Sequence, residues 1–270
     1  MHAITTYQYQ TLDVSITDCI LTVTLNRPDK KNAMSFLMMQ ELINVATRVK
    51  KDRGLRAVII HGAAQTFCAG IDLSDLNQPK NQAFAFWELI KPRQSLFQRV
   101  CLVWRDVPMP VLTVLEGHCI GAGLQLALAT DIRISHPQCQ FSVMEAKWGL
   151  VPDMGLTQSA FGVVRADVLK ELAMSARMID AHQAEQLGLV THVSDQPMQH
   201  AQHLAHEFAE RSPDAVLASK RVINAMYTQS ATTLYQEKLW QIKLMLGHNR
   251  KRALKKAKDA STAFAARQFR

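Results

Sequence analysis

The sequence predicts an α/β protein, because short apolar strands alternate with helical segments along the first part of the 270-residue chain. Apolar residues make up 48% of the composition and charged residues 20%, which is typical of a globular protein and excludes a disordered chain. After about residue 155 only one short strand is evident, at 189–193, and beyond residue 200 the pattern is purely helical. We therefore expect an α/β core over residues 1–200 and a helical region over residues 201–270.

The first sixty residues predict three strands and one helix. β-Branched and apolar residues mark strands around residues 14–16 and at 20–25. Ser35 can cap a helix whose apolar residues recur at helical spacing as far as Val49. A buried strand follows at 57–61, so strands and helices already alternate at the start of the chain.

The alternation continues through the middle of the chain. A helical stretch at 84–105 precedes a strand at 111–115, a short helix at 121–130 and another strand at 132–135. Helical spacing then predicts five further helices, at 166–175, 181–187, 196–211, 213–227 and 232–246. Because no biased linker separates these helices from the strands, we expect the helical region to pack on the core.

The net charge of +8 is concentrated at the C-terminus. Residues 248–270 hold eight basic residues and one acidic residue, whereas the rest of the chain is close to neutral. A basic segment can bind nucleic acid, but a run of charge is more commonly a solvated face. We therefore do not expect nucleic acid to be the main partner.

The cysteines and the N-terminus bear on location. Five cysteines, widely spaced and without a C-x-x-C pair, favour buried free thiols in a reducing compartment. The first residues lack the charged and apolar regions of a signal peptide, and the uncharged stretch at 119–130 is too short to span a bilayer. The sequence thus predicts a cytoplasmic protein with no membrane partner.

Two glycine-bearing segments, at 67–73 and 116–125, each follow a predicted buried strand. Ligands of open α/β folds bind at the carboxyl ends of strands, and glycine lets the backbone approach a ligand closely. The helix that starts at Gly121 leaves its first amides without intrahelical partners. Two such amides that converge on one oxygen form an oxyanion hole, although each segment alone is equally well explained as a tight turn. No P-loop, H-E-x-x-H or other metal-ligand spacing is present, so we expect no metal site.

With their flanking segments, these turns resemble the crotonase family, the enoyl-CoA hydratases and isomerases. The resemblance rests on six segments, in order LNRPDKKNAM at 25–34, FCAGIDL at 67–73, GHCIGAGLQLALATDIRIS at 117–135, FSVMEAKWGLVPDMGLTQ at 141–158, AHQAEQLGLVTHV at 181–193 and SPDAVLASKRVIN at 212–224. Several ordered motifs over nearly the whole chain are far more specific than one glycine turn. The resemblance implies a crotonase-like spiral of repeated ββα units followed by a C-terminal helical region.

The resemblance also implies how an acyl-CoA thioester would bind. Its carbonyl oxygen would accept hydrogen bonds from the backbone N–H groups of Ile71 and Ala122, which would stabilise the enolate that forms in the reaction. The carbonyl of Ala69 falls where the family recognises the adenine. Lys30 and Lys31 fall in the loop beside the nucleotide phosphates, where they are equally well explained as solvated side chains. Coenzyme A is part of the substrate, so no separate cofactor is implied.

The acid–base positions decide which reaction follows. Hydratases of the family commonly use two glutamates; the second is present as Glu145, but Gln125 occupies the first position. An amide transfers no proton at neutral pH, although it can orient a water molecule. Isomerases of the family use the glutamate alone, and some dienoyl-CoA isomerases add an aspartate eight residues later, where Asp153 stands. The structural alternatives are an ion pair for Glu145, a turn for Asp153 and helix packing for Gln125.

We therefore expect an enoyl-CoA hydratase-type enzyme that adds water across the 2,3 double bond. The first alternative is an enoyl-CoA or dienoyl-CoA isomerase that uses Glu145 with or without Asp153, and the second is a non-catalytic homologue that binds CoA or RNA. The family's C-terminal helices build trimers and dimers of trimers, so the resemblance implies a homotrimer or homohexamer. Phe264 and Arg267 are the positions that would reach the CoA of a neighbouring subunit.

Overall fold

A computed structural model describes residues 8–211, 213–224, 235, 238–239, 241–242 and 245–262. Within these residues, nine strands form two sheets and eleven α-helices pack around them. The α/β class and the helical C-terminal region are therefore confirmed. None of the described helices is long and apolar enough to cross a membrane.

The strands and helices have the following bounds. The strands are β1 Leu12–Thr17, β2 Ile20–Leu25, β3 Ala57–Gly62, β4 Val111–Leu115, β5 His118–Ile120, β6 Ile132–Ser135, β7 Gln140–Ser142, β8 Ile179–Asp180 and β9 His192–Val193. The helices are α1 Phe36–Val49, α2 Leu73–Leu76, α3 Pro79–Ile90, α4 Leu96–Leu102, α5 Ala122–Leu128, α6 Leu156–Ser159, α7 Ala166–Ser175, α8 Ala181–Gln186, α9 Pro197–Ala209, α10 Pro213–Asn224 and α11 His248–Lys256. Two short 3₁₀ helices lie at Pro28–Lys30 and Glu145–Trp148.

The two sheets are built by strand–strand–helix units. The larger sheet has the order β1-β2-β3-β4-β6-β9, in which β1 is antiparallel to β2 and the other pairs are parallel. The smaller sheet has the order β5-β7-β8. β4, β5 and α5 form one unit, and β6, β7 and α6 form the next. Within each unit the first strand joins the larger sheet and the second joins the smaller one.

The two faces of the larger sheet bury different neighbours. Val58 and Ile60 belong to the main core, which includes the apolar face of α1, whereas Ile59 belongs to a second cluster on the opposite face. That second cluster is completed by Ala201 and Ala205 of α9, whose small side chains let the helix approach the sheet. Since α9 crosses residue 200 and packs on the sheet, the division of the chain at that residue stays a prediction.

Most predicted elements are confirmed, and the helix α1 shows why. The Ser35 hydroxyl accepts a hydrogen bond from the N–H of Met38 at 3.2 Å, which caps the helix at the predicted residue. The predicted helix at 213–227 is described as far as Asn224, and most of the predicted helix at 232–246 lies outside the described residues.

The predicted single helix at 84–105 is wrong. The chain forms two helices there, α3 and α4, separated by residues 91–95. Pro92 disfavours helical conformation at the residue before it, and Ser95 starts a new helix through a capping box with Gln98. The predicted strand at 189–193 is also shorter than expected, since pairing is confined to β9.

Candidate active site

The two glycine-bearing segments lie side by side. The N–H of Cys68 donates to the carbonyl of His118 at 2.8 Å, and the N–H of Ile120 donates to the carbonyl of Cys68 at 3.0 Å. The segment around Cys68 therefore runs parallel to β5, to which it is joined by an isolated β-bridge. A Cβ atom at Gly123 would lie only 2.7 Å from the Cβ of Cys68, so α5 begins in direct contact with this segment. The topology thus joins two segments that are distant in sequence.

Two backbone N–H groups are left available at this junction. The N–H of Met34 donates to the carbonyl of Gly70 at 2.8 Å, and the carbonyl of Met34 accepts from the N–H of Asp72 at 3.0 Å. The N–H of Ile71, which lies between Gly70 and Asp72, therefore points away from Met34. Ala122 is the first residue of α5, and Gly121 precedes it with a positive φ of 51°, which glycine adopts without strain. Among the residues that the structure describes, neither N–H has a hydrogen-bond acceptor. Their role as an oxyanion hole stays a prediction.

Two buried polar side chains hold the first turn in place. Asn32 is fully buried and donates to two carbonyls of the 63–66 loop, at 2.9 and 2.6 Å. Asp72 accepts from Nη2 of Arg27 at 2.7 Å. Burial by itself raises the pKa of Asp72, but hydrogen bonds from Ser74 and Arg27 lower it to about 2, so the carboxylate is ionised. Sequence reasoning missed this pair because its members are 45 residues apart and no local pattern links them.

Glu145 lies against the start of α5. It is the first residue of the 3₁₀ helix, and its Oε1 is 3.4 Å from the position that a Cβ atom of Gly121 would occupy. Its Oε2 is buried and has no hydrogen-bond partner within the described part of the chain. Burial raises the pKa of Glu145, which is the shift expected of a carboxyl group that exchanges protons near neutral pH.

Both polar atoms of the Gln125 side chain have a hydrogen-bond partner. Its side chain is 1% exposed on α5, its Nε2 donates to Oε1 of Glu145 at 2.7 Å, and its Oε1 accepts from the N–H of Met154 at 2.9 Å. Gln125 and Glu145, which the motifs select separately, are therefore in direct contact. The contribution of Met154 was missed, since a backbone donor leaves no signal in residue identity.

Asp153 lies beside the same group of residues. It is buried, at 7% exposed, and it immediately precedes Met154, whose N–H holds the Gln125 amide. Three of the predicted site residues, Gln125, Glu145 and Asp153, are thus joined through two hydrogen bonds and one peptide bond. The participation of Asp153 in proton transfer stays a prediction.

The predicted nucleotide end lies next to the first turn. The N–H of Ala69 donates to the carbonyl of Lys31 at 3.1 Å, while the side chains of Lys30 and Lys31 are exposed. His118, which sequence reasoning did not select, belongs to this end as well. Burial and the nearby Lys31 lower the pKa of His118, and its Nδ1 is buried without a partner in the described ranges. Its position inside the GHCIGAG segment was the available signal.

The C-terminal helix packs on the element that carries Glu145. Gly149 ends the 3₁₀ helix with φ 69°, and a Cβ atom there would lie 3.1 Å from Cα of Arg250 and 3.2 Å from Cβ of Ala253. Phe264 and Arg267, the predicted contacts to a neighbouring CoA, lie outside the described residues.

Two other features do not belong to this site. A surface cavity of about 310 Å³ is lined mostly by polar and charged residues from α1, α4, α6 and the adjoining loops, among them Lys50 and Arg99, and it contains none of the predicted site residues. Of the residues that the structure describes, no group of three histidine, cysteine or acidic side chains is arranged to hold a metal ion.

Residues 15–264 match the protein family described as enoyl-CoA hydratase/isomerase. The mitochondrial Delta(3,5)-Delta(2,4)-dienoyl-CoA isomerase of Mus musculus is 35% identical over 234 residues, which cover 83% of this chain and 71% of that protein. The mitochondrial methylglutaconyl-CoA hydratase of Mus musculus is 31% identical over 212 residues, 76% of this chain and 66% of that protein.

Solved structures show the same fold. The crystal structure of an enoyl-CoA hydratase/isomerase from Pseudoalteromonas atlantica T6c matches with a TM-score of 0.82 and 24% sequence identity, over 95% of this chain and 100% of that chain. The spiral of ββα units with a C-terminal helical region, which the motifs implied, is therefore confirmed.

Proposed function

Because the chain belongs to the enoyl-CoA hydratase/isomerase family and is an enzyme of that class, we propose that it moves a double bond of an enoyl-CoA thioester by proton transfer through Glu145. Hydration, the leading expectation from the sequence, fits the family equally well. One observation favours isomerisation: the group opposite Glu145 is an amide with both polar atoms engaged. A reaction that only relocates a proton needs one carboxylate, whereas hydration also needs a group that activates water.

The proposed mechanism uses the two turns and Glu145 together. The thioester oxygen accepts hydrogen bonds from the N–H groups of Ile71 and Ala122. Glu145 removes a proton from C2 of a 3-enoyl thioester, and the electron pair is delocalised onto the thioester oxygen as a dienolate. Return of the proton to C4 then forms the conjugated 2-enoyl product. In the variant of this step that uses Asp153, placed by its spacing from Glu145, protonated Asp153 donates its own proton to C4 while Glu145 keeps the proton taken from C2.

We assign the remaining predicted residues to the CoA part of the substrate. Lys30 and Lys31 lie beside the phosphates, and Ala69 lies beside the adenine. The hydrogen bond from the N–H of Ala69 to the carbonyl of Lys31 supports this assignment, because it keeps the two groups of residues together. The chain works as a homotrimer or homohexamer, in which Phe264 and Arg267 reach the CoA of a neighbour. Its location is cytoplasmic, supported by five free cysteines of which four are buried.

The Glu145→Gln variant tests the proposed reaction. With purified protein and a 3-enoyl-CoA, the absorbance of the conjugated thioester should appear with wild type. The variant should be slower by about 10²–10⁴-fold, the usual contribution of a positioned proton-transfer group. Glu210 is exposed at the C-terminal end of α9. Glu210→Gln is therefore the matched control and should keep the wild-type rate. An unchanged rate in Glu145→Gln would contradict the proposal.

Hydration is the second candidate, and one feature supports it. Nε2 of Gln125 carries two N–H groups, and only one of them is needed for the hydrogen bond to Glu145. The other can orient a water molecule next to the carboxylate. Hydration of a 2-enoyl-CoA is measured as loss of the conjugated absorbance. If this loss is faster than isomerisation of the 3-enoyl-CoA, hydration is the main reaction of the enzyme.

A further inference from the structure

We propose that Gln125 is a positioning residue that keeps the proton of Glu145 on Oε2 and thereby selects double-bond relocation over hydration. The inference rests on the proposed function of Glu145 as the proton-transfer group. It assigns Gln125 no proton-transfer step of its own. Instead, the amide determines which oxygen of its neighbour exchanges protons with the substrate.

The orientation of the Gln125 amide is fixed by the backbone. A backbone N–H can only donate, so the side-chain atom 2.9 Å from the N–H of Met154 must be the carbonyl oxygen. The other end of the amide, 2.7 Å from Oε1 of Glu145, is therefore the NH₂ group. Because Gln125 is only 1% exposed, bulk solvent does not compete with the N–H of Met154 for its amide oxygen.

This orientation makes the two oxygens of Glu145 unequal. Oε1 receives an N–H and has to act as an acceptor, and the carbonyl oxygen of a carboxylic acid is a better acceptor than its hydroxyl. The proton of the neutral acid is therefore held on Oε2. That atom is buried and has no partner among the described residues, so it is free to take a proton from one carbon and return it to another.

A glutamate at position 125 would remove this asymmetry. One of its oxygens could still accept from the N–H of Met154, but the other would face Oε1 of Glu145 without a hydrogen. Two carboxylates at hydrogen-bond distance share a proton, and the pKa of one of them rises. The site would then hold two acid–base groups, which is the arrangement that activates and adds water.

The described charged groups around this pair do not shift the pKa of Glu145. Charged or titratable side chains on the elements packed around Glu145 are Lys147 on its own 3₁₀ helix, Asp153 in the following loop, Asp167, Lys170 and Glu171 on α7, and His248, Arg250, Lys251, Arg252, Lys255 and Lys256 on α11. The pKa of Glu145 is raised by burial and lowered by hydrogen bonds from the backbone and from Gln125; within the described residues, no charged group contributes to the shift. A substitution at Gln125 should therefore appear directly as a change in the pKa of Glu145.

The pH profile of kcat/KM for isomerisation tests the inference. The reaction needs ionised Glu145, so the rate rises as pH increases through its pKa. In Gln125→Met the carboxylate of Glu145 loses an N–H donor that lowers its pKa. In Gln125→Glu the carboxylate gains a negative neighbour, so the rise in rate should move to higher pH by at least one unit. Gln125→Glu should also raise the ratio of hydration to isomerisation by at least tenfold, whereas Gln125→Met should not.

Gln98 supplies the matched control, because it is equally buried but lies in the capping box of α4. Gln98→Met should lower the Tm and leave the pH profile unchanged. If both Gln125 variants lower the rate without moving the profile or the product ratio, Gln125 only packs and the inference is wrong. An active Glu145→Gln variant would instead refute the proposed function, so the two failures are distinguishable.

Discussion

Gly123 is the residue at which the two turns meet, and it has no room for a side chain. A Cβ atom there would lie 2.7 Å from the Cβ and 2.8 Å from the carbonyl oxygen of Cys68. We expect Gly123→Ala to push the start of α5 away from the first turn and to separate the N–H groups of Ile71 and Ala122. Loss of one oxyanion-hole donor typically lowers kcat by about 10²–10³-fold, and steady-state kinetics with 3-enoyl-CoA should show a loss of this order.

Gly54→Ala is the comparison for this change, because Gly54 lies in an exposed turn and its φ is not positive. It should leave kcat unchanged. If Gly123→Ala has wild-type kcat and KM at a temperature where it is folded, the close approach of the two turns is not needed for catalysis.

At the scale of single residues, the sequence selected candidate site residues but not the hydrogen bonds between them. Glu145, Gln125 and Asp153 were selected from motifs, and the structure joins them. The donors that hold them, such as the N–H of Met154, come from the backbone and leave no signature in residue type. Pairs such as Arg27 with Asp72 depend on which strands become neighbours, which is a property of the whole chain.

At the scale of elements, length decides what could be predicted. The strands of the larger sheet that were predicted correctly, such as β2 and β4, have five or six residues of β-branched and apolar character. The strands β5, β7 and β8 have only two or three residues, too few to show a period, so the smaller sheet was not predicted. It forms because the repeated units place these short segments side by side.

The packing of α9 on the larger sheet depends on small residues, and Ala205 tests it. Its side chain is fully buried against the cluster that contains Ile59 and Leu112. Ala205→Leu should overpack this contact and lower the free energy of unfolding by about 1–3 kcal/mol, measured by urea denaturation. Gln202→Leu, at an exposed position of the same helix, should change it by less than about 0.5 kcal/mol. Equal stabilities of the two variants would mean that α9 is not closely packed.

At the scale of the whole molecule, the basic C-terminal segment can be tested in two steps. Removal of residues 263–270 deletes Phe264 and Arg267 but keeps α11, so KM for the acyl-CoA should rise while kcat changes little. Removal of all residues after Leu246 also deletes α11, which packs on Gly149. This truncation should lower kcat as well, because the 3₁₀ helix that carries Glu145 loses its packing contact with α11. Light scattering would show whether the oligomer is lost in the same step.

The longer truncation also tests the RNA-binding alternative. If it keeps full activity and its oligomeric state, but loses an RNA affinity that falls steeply with salt, the basic segment serves nucleic acid rather than the acyl-CoA site. A loss of both activity and assembly would place the segment in the enzyme itself.

The contrast between backbone and side-chain groups in the site has an evolutionary consequence. The two N–H groups that we propose for the thioester oxygen belong to the main chain, so a change of side chain at Ile71 or Ala122 to any residue but proline does not delete them. The group opposite Glu145 is a side chain, and a glutamine codon becomes a glutamate codon through a single-nucleotide change. Thioester activation can therefore persist through long sequence divergence, while the reaction that follows it can change within one mutational step.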